Sequence, residues 1–186
     1  VQIRAPSHPG NLNAPRAVAR AALLYTFRCL VEEALPLNEG ALRPFVIDIE
    51  PGGLFDPQEP AAVAGGNVES SQRLVDALLQ ALGRQASSQG TMNNLTIGME
   101  GGTLYETIGG GSGATPDAPG AHAVQVHMTN TQATDVEELE HRLPLVMESW
   151  RIHRGSGGSG QHRGGDGVEK TWRFLEAAEV SILAGR

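Results

Sequence analysis

Residues 89–114, QGTMNNLTIGMEGGTLYETIGGGSGA, decide the fold. They contain two predicted strands, 94–99 and 103–108, and the second strand runs into a series of glycines. The stretch holds eight glycines and no lysine or arginine. A glycine-rich run is typical of a phosphate-binding loop, a flexible linker or close backbone packing, and the surrounding residues separate these alternatives.

The glycines at 109–111 favour close backbone packing over nucleotide binding. A phosphate-binding loop needs a lysine near the phosphates and a helix N-terminus directly behind the loop. Here the loop is followed by Pro116 and Pro119, and no such lysine is present. We therefore interpret the loop as a close approach of the backbone to another segment or to a ligand.

The composition predicts an α+β fold with mixed or antiparallel strands, two main helices and long, structured glycine-rich loops. The 186 residues include 24 glycines and 11 prolines, and 40% are hydrophobic but only 4% aromatic. This balance suits a single domain over residues 1–186 with an aliphatic core. The net charge of −7 argues against a nucleic-acid partner, and charged residues within the apolar segment 17–35 argue against a membrane span.

Local patterns place the helices and strands. Helices are predicted over residues 17–35 with an N-cap at Asn13, over 68–82 with an N-cap at Asn67 and a final Gly83, and over 135–142. Strands are predicted over residues 1–4, 44–50, 94–99, 103–108, 121–128, 146–153, 170–175 and 180–184. The glycine-rich segment 155–167 lies between two of these strands, which indicates a structured loop within one domain rather than a linker.

The only cysteine, Cys29, falls within the first predicted helix. Free cysteine is among the most buried residue types, so we expect a small buried side chain here. A single cysteine forms no disulfide within the chain, which is typical of a cytoplasmic protein.

Polar side chains bunch at the ends of the predicted strands. Glu106 directly precedes the glycine loop, where a carboxylate can act as a general base or orient a polar substrate. The amides and hydroxyls of MNN (92–94) and HMTNT (127–131) can hydrogen-bond an amide or an acyl oxygen. The alternatives are a solvated glutamate on a strand and polar residues that cap turns.

Two further motifs have weaker functional interpretations. Gly65 and Gly66 lead into the second helix, whose N-terminus can attract an anion, although an ordinary capped helix explains them more simply. His122 and His127 fall on opposite faces of the predicted strand 121–128, so they do not form a chelating pair. The sequence has no tight cluster of metal-ligating residues, so we predict no metal site formed by this chain alone.

Seven ordered blocks of the sequence resemble the hydantoinase B / 5-oxoprolinase B-subunit family. They are NAPRAVARAALLYTFRCL, LNEGALRP, AAVAGGNVESSQRLVDALLQAL, ASSQGTMNNLTIG, YETIGGGSGA, VQVHMTNT and RGGDG. Their fixed order over most of the chain is far more specific than a single glycine run. The resemblance extends only to the C-terminal portion of that family's subunit.

The resemblance implies part of an ATP-dependent hydrolase of cyclic amides such as hydantoins and 5-oxoproline. An A-type partner component would bind ATP and phosphorylate the ring amide, and the B-type component would hydrolyse the activated ring. By this resemblance the chain alone binds no cofactor, whereas the full complex uses ATP and a divalent metal. Its implied partners are the A-type component and the N-terminal portion of the B-type component, which would hold the metal ligands.

The resemblance also implies that the glycine block borders a shared active site. From the polar residues around it we predict three catalytic residues, Glu106, His127 and Asn94. The predicted substrate-binding residues are Asn93, Thr129, Asn130, Gly109, Gly110, Gly111 and Asn67.

Two other functions fit the same sequence. One is a catalytically silent structural or interaction module, in which an exposed strand edge recruits the partner components. The other is a subunit of a related ATP-dependent ketone carboxylase, which would share the motifs and differ in substrate.

Overall fold

The computed structural model of the protein describes residues 1–185 and confirms the predicted α+β class. In this part of the chain, the helices are α1 (Arg16–Leu30), α2 (Ser71–Ala81) and α3 (Val136–Arg142). The strands are β1 (Gln2–Ile3), β2 (Asp48–Ile49), β3 (Asn94–Met99), β4 (Gly102–Thr107), β5 (Leu145–Ile152), β6 (Val168–Phe174) and β7 (Glu179–Leu183). None of the described helices has the length and apolar character needed to cross a lipid bilayer.

The strands form three small sheets. The short strands β1 and β2 pair in parallel, and β5 pairs with β6 in antiparallel fashion. The central sheet has the strand order β4-β3-β7, with both pairs antiparallel. Strand β3 is therefore in the middle, where Asn94 pairs with Thr107 on one side and with Leu183 on the other.

The hydrophobic side chains form two clusters. The first lies between α1, α2 and the β1–β2 pair and includes Ala19, Val75 and Leu79. The second packs the β3–β4 hairpin and β5 against α3, with Ile97 and Leu145 almost fully buried. Both clusters are mainly aliphatic, as the composition predicts, and Phe55 is the one aromatic side chain among their buried members in the described residues. The assignment of residues 1–186 to one domain stays a prediction.

Helix α1 departs from its prediction at both ends. It begins at Arg16 and ends at Leu30, so the predicted extension to residue 35 is wrong. Glu32 and Glu33 explain the early end, since negative charge at a helix C-terminus opposes the helix dipole. Asn13 is not the N-cap: its side chain is fully buried, accepting from the His8 backbone N–H at 2.7 Å and donating to the His8 carbonyl at 2.8 Å.

The prediction of a buried Cys29 is also wrong, because this side chain is exposed. Only one stripe of α1, including Ala19, Ala22 and Leu23, faces the core. Cys29 continues this stripe seven residues after Ala22, but it lies in the last turn of the helix, where its side chain is exposed.

Helix α2 starts differently from its prediction but ends as expected. A wide helical turn over Gly66–Ser70 precedes it, and the exposed Asn67 lies inside that turn and is not its cap. Gly66 packs so closely that a Cβ atom there would lie 2.2 Å from the Asn13 carbonyl, so tertiary packing sets the start of the helix. At the other end, Gly83 has φ +63° and follows the helix in the left-handed conformation that a terminating glycine favours.

Most strand predictions are confirmed, with two exceptions. Residues 44–50 form only the short strand β2, and residues 121–128 form no strand. In the second case Ala123 (φ +55°) and His127 (φ +53°) adopt the left-handed region, which interrupts an extended backbone. The alternating apolar pattern of this segment therefore reflects an irregular loop that turns its side chains to two different neighbours.

The glycine-rich loops pack backbone against backbone. The Gly165 N–H donates to the Ser112 carbonyl at 2.8 Å, and the Gly120 N–H donates to the Arg163 carbonyl at 2.8 Å. A Cβ atom at Gly113 or Gly165 would lie within 1.9 Å of a backbone oxygen. This confirms the two sequence predictions of close backbone approach and of a structured loop over residues 155–167.

Candidate functional site

Glu106 is paired with a buried lysine. It lies on β4, and its Oε1 accepts a hydrogen bond from Lys170 Nζ on β6. Only 1% of the Glu106 side chain and 2% of the Lys170 side chain are exposed. The alternative of a solvated glutamate is therefore wrong. Burying two charges is tolerated because each neutralises the other.

The pair borders a small cavity of about 100 Å³, lined in part by Thr107, Gln125 and Trp150. Gln125 Nε2 donates to the Thr107 carbonyl at 2.7 Å and to Thr107 Oγ1 at 2.8 Å. Lys170 Nζ lies 4.2 Å from the centre of the Trp150 ring, a cation–π contact. We call Glu106, Lys170, Thr107 and Gln125 the Glu106 cluster.

His127 lies in a different group of buried side chains. Its Nε2 lies 2.8 Å from Asp76 Oδ1 on α2, and both side chains are about 95% buried. Nearby, Gln72 Nε2 donates to Thr129 Oγ1 at 2.8 Å. We call His127, Asp76, Gln72 and Thr129 the His127 cluster. The Asp76 carboxylate fixes the orientation of the imidazole through their short contact.

A tyrosine on α1 contributes to the His127 cluster. The ring centres of Tyr25 and His127 are 6.0 Å apart with the planes at 71°, an edge-to-face contact. Burial raises the pKa of the Tyr25 phenol, the Cys29 thiol adds to the rise, and the His127 backbone opposes it. Tyr25 therefore stays protonated at neutral pH and serves as a wall of the site rather than as a base.

The irregular segment 125–131 connects the two clusters. Gln125 and Thr131 contact Thr107 on β4, whereas His127 and Thr129 contact α2. Two of the predicted catalytic residues, Glu106 and His127, thus lie at opposite sides of one loop and not side by side.

Asn93 and Asn94 connect the start of β3 to β4 and to Ile108 through side-chain hydrogen bonds. Asn93 adopts φ +48°, and its Nδ2 donates to the Ile108 carbonyl at 3.0 Å. Asn94 is buried, and its Oδ1 accepts from the Tyr105 hydroxyl at 2.8 Å. Both side chains therefore bind to β4 or to the residue that follows it, within two positions of Glu106 along the chain.

The remaining predicted residues are dispersed. Gly109 lines the cavity of the Glu106 cluster. The Gly110 N–H donates to Gln89 Oε1 and the Gly111 N–H donates to the Val124 carbonyl, so both amides are used within the fold. Asn130 and Asn67 are exposed, and neither lines that cavity. The substrate-binding role of these residues stays a prediction.

Sequence reasoning missed Lys170, Gln125 and Asp76. Lys170 and Trp172 lie two residues apart on a predicted strand, so their side chains share one face of it. This neighbouring aromatic ring is a signal that the lysine is not simply solvated. Asp76 lies within the apolar stripe of α2 between Val75 and Leu79, and a carboxylate so placed needs a partner. The partners themselves come from distant parts of the chain, so no local pattern identifies them.

Asp166, in the RGGDG block, holds the loops around the cavity together. Its Oδ1 accepts from the Gly157 N–H at 2.8 Å, and its backbone carbonyl accepts from the Ala123 N–H at 2.7 Å. Backbone N–H groups of Gly157 and Gly155 lower the pKa of the Asp166 carboxyl, and the nearby His122 and Arg163 lower it further. The loop arrangement is therefore most stable when Asp166 is ionised.

This lowered pKa predicts a pH dependence. The stabilisation from the Asp166 charge should be fully present above the carboxyl's ordinary pKa of about 4 and lost as the pH falls through the lower folded-state value. The Asp166→Asn variant keeps the Oδ1 acceptor but loses the charge. The difference in free energy of unfolding between wild type and variant, measured in urea, should be constant from about pH 7 to about pH 5 and shrink towards about pH 3. A difference that is the same at every pH would contradict this assignment.

The fold is shared with solved enzymes whose chains are much longer. The ATP-dependent caprolactamase from Pseudomonas jessenii superposes with a TM-score of 0.78 at 23% identity, over 99% of this chain and 35% of that one. Nucleotide-free acetone carboxylase superposes with a TM-score of 0.73 at 20% identity, over 91% of this chain and 25% of that one. At these identities the likeness shows the fold, an α+β unit that forms part of each of these longer chains.

The family model for hydantoinase B/oxoprolinase matches residues 4–186, so the chain belongs to this family and the predicted resemblance is confirmed. A 5-oxoprolinase from Dictyostelium discoideum is 49% identical over 95% of this chain, and 5-oxoprolinase 1 from Arabidopsis thaliana is 49% identical over 97%. The B-type subunit of a putative D-/L-hydantoinase from a Pseudomonas species is 27% identical over 80%. The chain spans about 14% of the length of the two 5-oxoprolinases.

Proposed function

We propose that this chain is part of the B-type component of an ATP-dependent cyclic amidohydrolase that opens a ring amide after its phosphorylation. The observation that carries the proposal is the 49% identity to 5-oxoprolinases over 95% of the chain or more. Such a level of identity along the whole chain is consistent with a shared role in the larger enzyme. The preferred substrates are small cyclic amides of the 5-oxoproline or hydantoin type.

The proposed division of labour assigns ATP and ring phosphorylation to an A-type partner component. This chain would work together with the N-terminal portion of the B-type component. Among residues 1–185, no three histidine, cysteine, aspartate or glutamate side chains are grouped to hold a metal ion. In this proposal the divalent metal of the complex is held by the N-terminal portion of the B-type component, as the family resemblance implies, and the steps proposed for the present residues do not involve it.

In this proposal the Glu106 cluster contributes charge and proton handling near the reacting amide. Glu106 Oε2 is buried without a hydrogen-bond partner in the described structure, so it is available to accept a proton or an N–H bond. The Lys170 ammonium can stabilise negative charge that develops on a nearby oxygen, since it is fixed in place and shielded from water. Asn94 does not line the cavity of this cluster, and its role stays a prediction that rests on the donor end of its amide, which is retained after its oxygen accepts from Tyr105.

Backbone strain in the same region supports a functional role. Among residues 1–185, positive φ occurs outside glycine only at Asn93, Ala123 and His127. All three belong to or border the two clusters, and such strain concentrates at sites where a geometry is maintained for function. His127, held by Asp76, is the second candidate for proton transfer.

The roles of Glu106 and Asn94 can be tested in the complex assembled with the A-type component and the N-terminal portion of the B-type component. We expect Glu106→Gln to lower kcat for ATP-dependent ring opening by about 10²-fold or more, and Asn94→Ala by about 10-fold to 10²-fold. Gln80→Ala, at an exposed position on α2, is the control. Wild-type turnover in both site variants would show that the assignment is wrong.

A structural role is the second candidate, and the edge strand β7 favours it. All five residues of β7 are exposed, and Val180 and Ile182 are 48% and 69% exposed. An apolar strand paired on one side only can recruit another chain by strand addition. A complex that forms normally but loses no activity when the two clusters are altered would favour this function. Carboxylation of a ketone by the same complex would instead favour the carboxylase branch.

A further inference from the structure

The Glu106 cluster contains two buried acceptors without a hydrogen-bond partner in the described structure: Glu106 Oε2 and Gln125 Oε1. Both residues line the same cavity of about 100 Å³. The orientation of the Gln125 amide is fixed, because its Nε2 donates twice to Thr107 and its oxygen must then point elsewhere. Buried polar atoms normally have a partner, so two orphaned acceptors in one cavity indicate a missing donor, either a water molecule or a ligand.

The charge of the cavity selects the kind of donor. Lys170 already neutralises Glu106 through their hydrogen bond, so the site as a whole carries little net charge. A cation would face the Lys170 ammonium at close range, and an anion would face two oxygen acceptors. A neutral donor satisfies these acceptors without an unpaired charge: a buried water does so with its two O–H groups, and a ligand N–H does so when the two oxygens share its hydrogen.

The size of the cavity limits the ligand further. Its volume of about 100 Å³ is well below the roughly 300–1,000 Å³ of typical small-molecule sites. It admits the polar edge of a small ring, and the small residues Gly109 and Ala133 form part of its wall. Trp150, which is 45% exposed, also lines the cavity and offers an aromatic surface for the rest of the ring.

We propose that this cavity binds the neutral N–H edge of a cyclic amide, with Glu106 and Gln125 as acceptors that share its one ring N–H and with Gln125 as a specificity-determining residue. The inference deepens the proposed function and rests on it for the choice of ring amide. It adds Gln125 to the site and gives Glu106 an acceptor role through the oxygen that Lys170 leaves open. A ring amide whose nitrogen is alkylated lacks the donor and should be rejected.

The two tryptophans of the chain provide a direct measurement of binding. They are Trp150 and Trp172, and their ring centres lie 4.2 Å and 5.7 Å from Lys170 Nζ. All of the intrinsic tryptophan fluorescence of the described residues therefore comes from side chains beside this cluster. The chain would be titrated with 2-pyrrolidone, which has one ring N–H, and with N-methyl-2-pyrrolidone, which has none. We expect a saturable fluorescence change with the first and an affinity at least about 10-fold weaker for the second.

Three variants define the site. Gln125→Met removes the acceptor, and Ala133→Leu narrows the cavity from an exposed position without altering a polar group; each should weaken 2-pyrrolidone binding by about 10-fold or more. Gln80→Met makes the same exchange on the exposed face of α2 and should bind as wild type does. Far-UV circular dichroism confirms that each variant is folded before titration.

Each outcome bears on the site separately from the proposed function. No saturable change, equal affinity for the two lactams, or unchanged binding in both Gln125→Met and Ala133→Leu would overturn the subsite. Ring opening by the assembled complex is measured independently. Normal turnover with Gln125→Met would overturn the subsite and leave the amidohydrolase proposal standing. Lactam binding without turnover in any assembly would support the subsite and overturn the amidohydrolase proposal.

Discussion

Replacing Gly165 with alanine should lower the free energy of unfolding by roughly 3 kcal/mol or more, a large part of the stability of an ordinary domain. The added Cβ would lie 1.9 Å from the Ala121 carbonyl oxygen and 3.1 Å from the Ser112 nitrogen. Both neighbours are backbone atoms, so no side chain can rotate away to relieve the contact. Gly165 also donates its N–H to Ser112, and separating the two segments would break that bond.

Gly158→Ala is the matched control, because this glycine lies in the same loop. A Cβ at Gly158 would meet no atom within 4 Å, and the residue does not adopt positive φ. Its substitution should change the free energy of unfolding by no more than about 0.5 kcal/mol. Urea unfolding followed by far-UV circular dichroism measures both variants. Similar losses in the two would mean that loop flexibility, and not the close approach at Gly165, determines stability.

The glycine loops show how far local sequence predicts structure. A glycine run without a lysine and without a following helix predicts close backbone packing, and this is what the structure contains. The partner of each close contact could not be predicted, because Gly111 and Gly165 meet although they are far apart in the chain. Local sequence identifies a position that must lack a side chain, and only the fold shows what occupies the space.

The helix ends illustrate the opposite case, in which tertiary contacts override a local rule. Asn13 has the residue type and position of an N-cap, yet four hydrogen bonds recruit its side chain to hold the loop before α1. Asn67 likewise loses its predicted capping position because Gly66 packs directly on the Asn13 carbonyl. By contrast Asp135, at the start of the predicted helix 135–142, caps α3 because no competing buried contact draws it away.

The sequence predicts only part of the candidate site, because the partners of its buried side chains come from distant segments of the chain. Glu106 was identified from its position before the glycine loop, but its burial depends on Lys170, which lies 64 residues later. The alternating pattern around His127 predicts a strand, but this segment is a loop that contacts the two clusters in turn. Sequence patterns thus found the carboxylate and the imidazole, whereas their partners Lys170 and Asp76 became visible only in three dimensions.

Lys170→Met should cost roughly 3–5 kcal/mol of stability, because it leaves the Glu106 carboxylate buried without its counter-charge. The methionine retains most of the length of the lysine and its contact with the Trp150 and Trp172 rings. The loss would therefore report on charge rather than on packing. Arg151→Met is the control, since Arg151 pairs with Glu169 across the same two strands at a largely exposed position and should cost less than about 1 kcal/mol.

The double variant Glu106→Gln with Lys170→Met separates stability from function. Removing both charges should recover most of the loss, because no uncompensated ion remains, and a double-mutant cycle in urea measures the coupling. A double variant as stable as wild type but unable to support ring opening would indicate that the ion pair is present for chemistry, since the fold would not require it. A loss of stability in the double variant equal to the sum of the losses in the two single variants would show instead that Glu106 and Lys170 are not coupled. That result would contradict their pairing.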